Sequence, residues 1–131
     1  MSALTYSPLR DLYRERILFA LIGANFNVTT DQQIHKLFPF VKWRLTGVFV
    51  TNASLSLTTA AGGIYMAASK GGAAIVAAGQ SYAALTTSGK MLDLTINNTD
   101  IRTEDVPRFA LTTAQGAAAT ADIYIRGIAL Q

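Results

Sequence analysis

From Asn25 onward the chain repeatedly sets apolar residues at every second position, in short runs broken by Gly, Thr, Ser and Asn. In "VKWRLTGVFVTN", Trp43, Leu45, Gly47 and Phe49 fall on one side of an extended backbone and Arg44, Thr46, Val48 and Val50 on the other, since successive strand side chains point to opposite faces. "MLDLTINN" sets Leu92, Leu94 and Ile96 against Asp93, Thr95 and Asn97; "ADIYIRGIAL" sets Ile123, Ile125 and Gly127 against Tyr124, Arg126 and Ile128. The β-branched Thr46, Val48, Val50 and Thr51 suit a pleated surface. About eight such strands, spaced ~8–12 residues apart with turn signals between them, specify an all-β antiparallel β-sandwich or barrel, and a jelly roll fits that count and size. The two longest runs, Val41–Asn52 and Ala121–Leu130, are expected as central neighbours, because both carry apolar residues on two faces.

Turns have their own vocabulary. "LTTAAG" at Leu57 returns as "LTTSG" at Leu85 and "LTTAQG" at Leu111. At each, Leu is expected as the last inward side chain of a strand, two threonines bond the local backbone, and the following Gly permits a turn. The segments between copies do not align, so this is not a solenoid repeat. "GGIYMAASKGGAAIVAA" reads as two strands around "SKGG", with Gly71 and Gly72 expected at positive φ. "QSYAAL" reads as a further strand. Its Ala content favours helix, but Gly71 to Leu85 holds three glycines and no amphipathic stripe.

The N-terminal stretch differs. In "SPLRDLYRERIL", Ser7 and Pro8 form a helix-start signal, and Leu9, Leu12, Tyr13 and Ile17 share one helical face. A helix of about two turns is not stable alone in water, so it must lie on the domain or on a neighbouring subunit. The expected organisation is a short N-terminal helix or arm over residues 1–24 and a β-sandwich domain over residues 25–131. Leu9, Leu12, Tyr13, Arg14 and Arg16 are the candidate interface residues.

Only 15% of the residues are charged, against about 25% in a typical soluble domain. Leu45 to Ser69 and Gly71 to Gly89 contain no charged side chain apiece, and the chain holds 21 alanines and 15 threonines. Interface cores are depleted of charge in this way, so much of this surface is expected to be covered by other subunits. Six basic and three acidic residues lie up to Arg44, and the remainder is balanced. No Lys/Arg run is interleaved with aromatics, so a nucleic-acid partner is not expected. No run reaches the ~18 apolar residues of a membrane helix, so no membrane partner is expected. The chain lacks cysteine, which removes disulfides and thiolate metal sites.

No catalytic signature stands out, and no enzyme, cofactor or metal is expected. The single histidine, His35, follows Asp31 by four residues; on one strand the two would share a face and suit general-base chemistry, but no nucleophile is placed beside them. Asp100, Glu104 and Asp105 do not match a calcium-loop spacing, and Arg102 sits among them. Lys70 precedes its glycines, the reverse of a phosphate loop. Tyr65, Tyr82 and Tyr124 are candidates for an aromatic groove in an alternative reading, a carbohydrate- or receptor-binding jelly-roll module.

The stretches "RLTGVFVTNASLSLTTAAGGIYMAASKGGAAIV" and "LTTAQGAAATADIYIRGIAL" resemble small structural proteins of tailed bacteriophages, the head decoration or cement type. The resemblance covers roughly Asn25 to Gln131 and carries no catalytic or ligand motif. It implies a compact β-domain, often a jelly roll, that forms trimers or other small homo-oligomers and clamps the major capsid protein or another virion protein. It implies a virion location after assembly in the host cytoplasm. Short Ala, Thr and Gly side chains suit that role, because they lose little rotamer freedom on association.

Overall fold

A computed structural model describes residues 14–130. These residues form an all-β fold of two packed antiparallel sheets, a β-sandwich. The strands are β1 (Glu15–Asn25), β2 (Gln32–Gln33), β3 (His35–Lys36), β4 (Lys42–Thr51), β5 (Ala61–Ala67), β6 (Gly71–Val76), β7 (Met91–Asp93), β8 (Ile101–Arg102), β9 (Arg108–Thr113) and β10 (Thr120–Leu130). The first sheet runs β3-β1-β10-β4-β7, with β8 also on β4; the second runs β2-β9-β5-β6. As expected, the two long runs are neighbours: β10 lies between β1 and β4.

The expected N-terminal helix over Leu9, Leu12 and Tyr13 lies outside the described residues. Ile17, placed on the same helical stripe, instead belongs to β1 and pairs with Arg126. The sandwich therefore takes in residues 15–24, which the sequence reading assigned to the arm, and the expected boundary at residue 25 falls at the end of a strand.

Bulges change the expected face pattern. In β4, Arg126 opposes Gly47 while Gly127 opposes Leu45, which leaves Thr46 as an extra residue. One inserted residue reverses the alternation beyond it. Trp43 and Leu45 are therefore buried before the bulge, but Val48 and Val50 after it, and Phe49 turns outward. Two further bulges bend β1, at Leu18 and at Ile22–Gly23, where Gly23 takes a φ of 70°.

Two segments pass from one sheet to the other. Residues 32–36 contribute β2 to the second sheet and β3 to the first, with buried Ile34 between them. On the opposite side, β7 pairs with β4, and three residues later Ile96 bridges Val76 of β6 while the Asn97 N–H donates to the Ile75 carbonyl. Buried Leu94 marks that crossing. Both sides of the sandwich are thus joined by chain that belongs to both sheets.

The core between the sheets is continuous, with an aromatic group at two places. Phe26, Tyr82 and Phe109 pack together, and so do Phe19, Phe40 and Trp43. The buried Trp43 indole N–H donates to the Glu104 carbonyl at 2.6 Å, and the Tyr82 hydroxyl to the Gly62 carbonyl at 3.1 Å. Buried polar groups of this kind need such partners.

The repeated phrase behaves as expected in one respect. Leu57, Leu85 and Leu111 are all fully buried, and the threonines after each are exposed. Only Leu111 lies near the end of a strand; the other two anchor loops, where the Leu57 N–H donates to the Leu85 carbonyl. "QSYAAL" is turn rather than strand, apart from a single bridge between Ser81 and Ala61. In the β5–β6 hairpin the turn residues at positive φ are Ser69 (56°) and Lys70 (58°), with Gly72 after them; Gly71 keeps an ordinary backbone. The Asp31 carboxylate accepts the Ser69 N–H at 2.6 Å, and Lys70 Nζ donates to the Thr29 carbonyl. The neighbouring loop thus holds a turn that its own residues do not favour.

Candidate functional site

Two surfaces present exposed large apolar side chains. The first is the outer face of the six-stranded sheet. The pairing register places its outward residues in rows across the strands. Asp122, Thr51 and Met91 form one row, with Ile22 in the β1 bulge beside it. His35, Ala20, Tyr124, Phe49 and Asp93 form the next. Ile17, Arg126 and Gly47 follow, then Glu15, Ile128, Arg44 and Ile101.

At the centre the Phe49 and Tyr124 rings stack at 5.1 Å with 22° between their planes, each half-buried. Around them Ile22, Met91 and Ile101 are each more than 60% exposed. The Arg126 guanidinium lies over Gly47 and pairs with Glu15 at 2.6 Å, so its charge is met within the face. The face thus combines exposed apolar side chains with an Arg126–Glu15 pair in its middle and Asp93, Asp122 and Arg44 around it.

The second surface is the end of the sandwich formed by the start of β1 and the β3–β4 connection. Here the aromatic group of the core reaches the outside: Trp43 and Phe19 are buried, while Phe40 and Phe38 are half-buried. Phe38 packs on Phe40 at 5.1 Å. The Arg16 guanidinium sits 3.9 Å from the Phe38 ring centre, and Lys36 Nζ 4.5 Å from that of Phe40. Cation–π contacts of this kind hold long basic side chains over rings. Leu37 and Val41 between them are 52% and 68% exposed. The combination is basic at its rim and apolar within.

The sequence-predicted residues divide accordingly. Arg16 is part of this end, Arg14 is exposed just before β1, and Leu9, Leu12 and Tyr13 lie outside the described residues. Asp31 and His35 do not share a strand face, because the chain changes sheets at Ile34 between them. Asp31 holds the β5–β6 turn, and His35 is exposed beside Ala20. Glu104 pairs with Arg102 at 3.3 Å, and Asp105 lies 4.0 Å from Lys36. Among the described residues no three His, Asp or Glu side chains gather where a metal ion would sit.

Tyr65, Tyr82 and Tyr124 do not line one groove. Tyr82 and Tyr65 are buried, and only Tyr124 faces outward. Burial pushes the Tyr82 hydroxyl well above the ordinary tyrosine value, with neighbouring Tyr65 adding to it. Sequence reasoning missed Phe38, Phe40, Leu37 and Val41. Their signal was "KLFPFV", an apolar run interrupted by Pro39 beside two lysines. In comparisons with family models, curated proteins and solved structures, the chain has no match.

Proposed function

We propose that this chain is a non-enzymatic virion structural protein that binds and stabilises a capsid as a homo-oligomer, in the manner of a decoration or cement protein. The observation that carries the reading is the basic, aromatic end of the sandwich. Leu37 and Val41 are exposed there, in the segment that carries Lys36 and Lys42 and beside the Arg16–Phe38 contact. Such a surface fits a protein partner that is acidic and partly apolar, and the major capsid protein is the partner proposed. A trimer remains the oligomer implied by the resemblance to phage decoration proteins. The mechanism is binding alone: a rigid sandwich bridges neighbouring capsid subunits and adds its contacts to the shell, which raises the shell's stability by mass action.

The test uses capsids of the encoding phage assembled without this protein. The full chain should co-sediment with them and raise their melting temperature. Replacing Leu37 and Val41 together by Asp should weaken binding at least tenfold without moving the melting temperature of the free protein. Failure of the unaltered protein to bind, or equal binding by the variant, refutes the reading.

A further inference from the structure

A line of contacts crosses the basic, aromatic end of the sandwich. Arg16 lies over Phe38, Phe38 packs on Phe40, Lys36 lies over Phe40, and Asp105 follows at 4.0 Å from Lys36 Nζ. The last link differs from the others. Its length exceeds hydrogen-bond reach, and the Asp105 side chain is 66% exposed. The backbone on either side of Asp105 is nevertheless held: the Glu104 carbonyl accepts the Trp43 indole N–H, and the Pro107 carbonyl accepts the Ile34 N–H. A carboxylate is thus kept beside the Lys36 ammonium without bonding to it.

Lys36 can hold a carboxylate more closely than this. An ammonium carries three N–H donors. Among the described residues one of them meets an acceptor, the Phe40 carbonyl at 2.7 Å. That bond and the Phe40 ring fix the Lys36 head group, so a bonded partner removes little further side-chain freedom. Leu37, next in the chain, and Val41 are exposed on the same connection.

We propose that Lys36 is the seat for a carboxylate of the protein partner, an Asp or Glu set among apolar side chains that cover Leu37 and Val41, and that Asp105 stands beside this seat in the free protein as a weak internal competitor. Docking then exchanges the 4.0 Å contact for a direct, charge-assisted hydrogen bond. Two carboxylates crowd one ammonium in the complex, and like charges brought together at an interface oppose binding, so Asp105 lowers the affinity. The same geometry selects the partner. A purely apolar surface would bury Lys36 without a bonded counter-charge, which is costly, so an acidic partner is favoured over a merely apolar one.

The proposal rests on the capsid-binding reading above and deepens it by naming the group that is recognised. Its test titrates capsids assembled without this protein with the full-length chain and with Asp105→Asn, Lys36→Met and the double variant. Asp105→Asn should tighten binding about threefold, the scale of one exposed ion pair. Lys36→Met should weaken it about tenfold. In the Lys36→Met background, Asp105→Asn should change binding by less than about 1.5-fold. A general change of surface charge would help an acidic partner equally in both backgrounds, so this coupling isolates competition at Lys36.

Asp105→Asn alters an exposed side chain and should melt with the unaltered protein, so that comparison stands even where Lys36→Met unfolds. Capsid binding that is unchanged or weakened by Asp105→Asn overturns the proposal and leaves the capsid reading in place. So does an equal gain from Asp105→Asn with and without Lys36. If neither the unaltered chain nor Asp105→Asn binds capsids, the capsid reading fails and the proposal fails with it.

Discussion

Gly127 and Gly47 flank the β10–β4 bulge on opposite faces of the sheet, and one substitution made at each should give opposite results. An Ala side-chain carbon at Gly127 would lie 2.3 Å from the Arg44 carbonyl oxygen and 2.9 Å from Leu18 Cδ1. The first contact is with paired backbone, so it is relieved only by spreading β10 from β4 and weakening ladder hydrogen bonds, each worth about 1 kcal/mol net. Overpacking against Leu18 adds a further 1–3 kcal/mol, to order of magnitude. A total near 3 kcal/mol, for a chain of this length, lowers the melting temperature by about 10 °C. At Gly47 the same carbon meets Arg126 Nη2 at 2.5 Å, which is the tip of a side chain 39% exposed. Arg126 swings into solvent and its pair with Glu15 is lost, at less than about 1 kcal/mol. A reduced conformational freedom of the unfolded chain offsets this by about 0.5 kcal/mol. Thermal melts followed by circular dichroism therefore separate the variants: a fall of about 10 °C for Gly127→Ala and a change within about 3 °C for Gly47→Ala. If Gly127→Ala melts with the unaltered protein, the close approach of the two central strands is refuted.

Other expectations are as direct. Tyr82→Phe removes the hydrogen bond to the buried Gly62 carbonyl and should cost about 1–2 kcal/mol by urea titration at neutral pH. Because the folded state raises the Tyr82 hydroxyl above its ordinary 10.0, its contribution is fully present below pH 10 and is lost as pH rises further; Tyr82→Phe should flatten that alkaline decline, and an unchanged profile refutes the assignment. Glu15→Gln, which breaks a half-exposed ion pair, should cost less than about 1 kcal/mol, and the difference should vanish in 1 M salt, where screening falls to ~3 Å. Ile34→Ala, at the crossing between sheets, should cost about 2–4 kcal/mol; a smaller loss in a calorimetric melt means that the crossing is loosely packed.

Legibility in the sequence followed the length of each pattern. The alternation in Ala121–Leu130 matches β10 throughout, because each odd-numbered residue there meets the core. In β4 the same reasoning worked only as far as Leu45. A bulge changes phase without a composition signal, and Thr46 is as good a strand residue as any. "MLDLTINN" alternates as expected, with Leu94 buried and Leu92 and Ile96 half-buried, yet it serves two sheets in succession, which periodicity does not encode. Ser69 and Lys70 occupy conformations that Gly would favour, since a loop forty residues away in the chain holds them there. For the candidate site, low charge density led to an expectation of association, and the sequence reading placed Arg16 in an N-terminal interface segment, whereas the structure sets it on the Phe38 ring at the end of the sandwich. The rings beneath it were invisible, because Phe38 and Phe40 become a surface only once β3 pairs with β1 and brings the β3–β4 connection beside Arg16.

The segments 32–36 and 91–97 each hold backbone bonds on both sides of the sandwich. Peeling one layer away would break the backbone bonds of these segments in the other, so the domain is expected to melt as one cooperative unit. A thermal melt followed by two probes, one for each sheet, should then give coincident transitions.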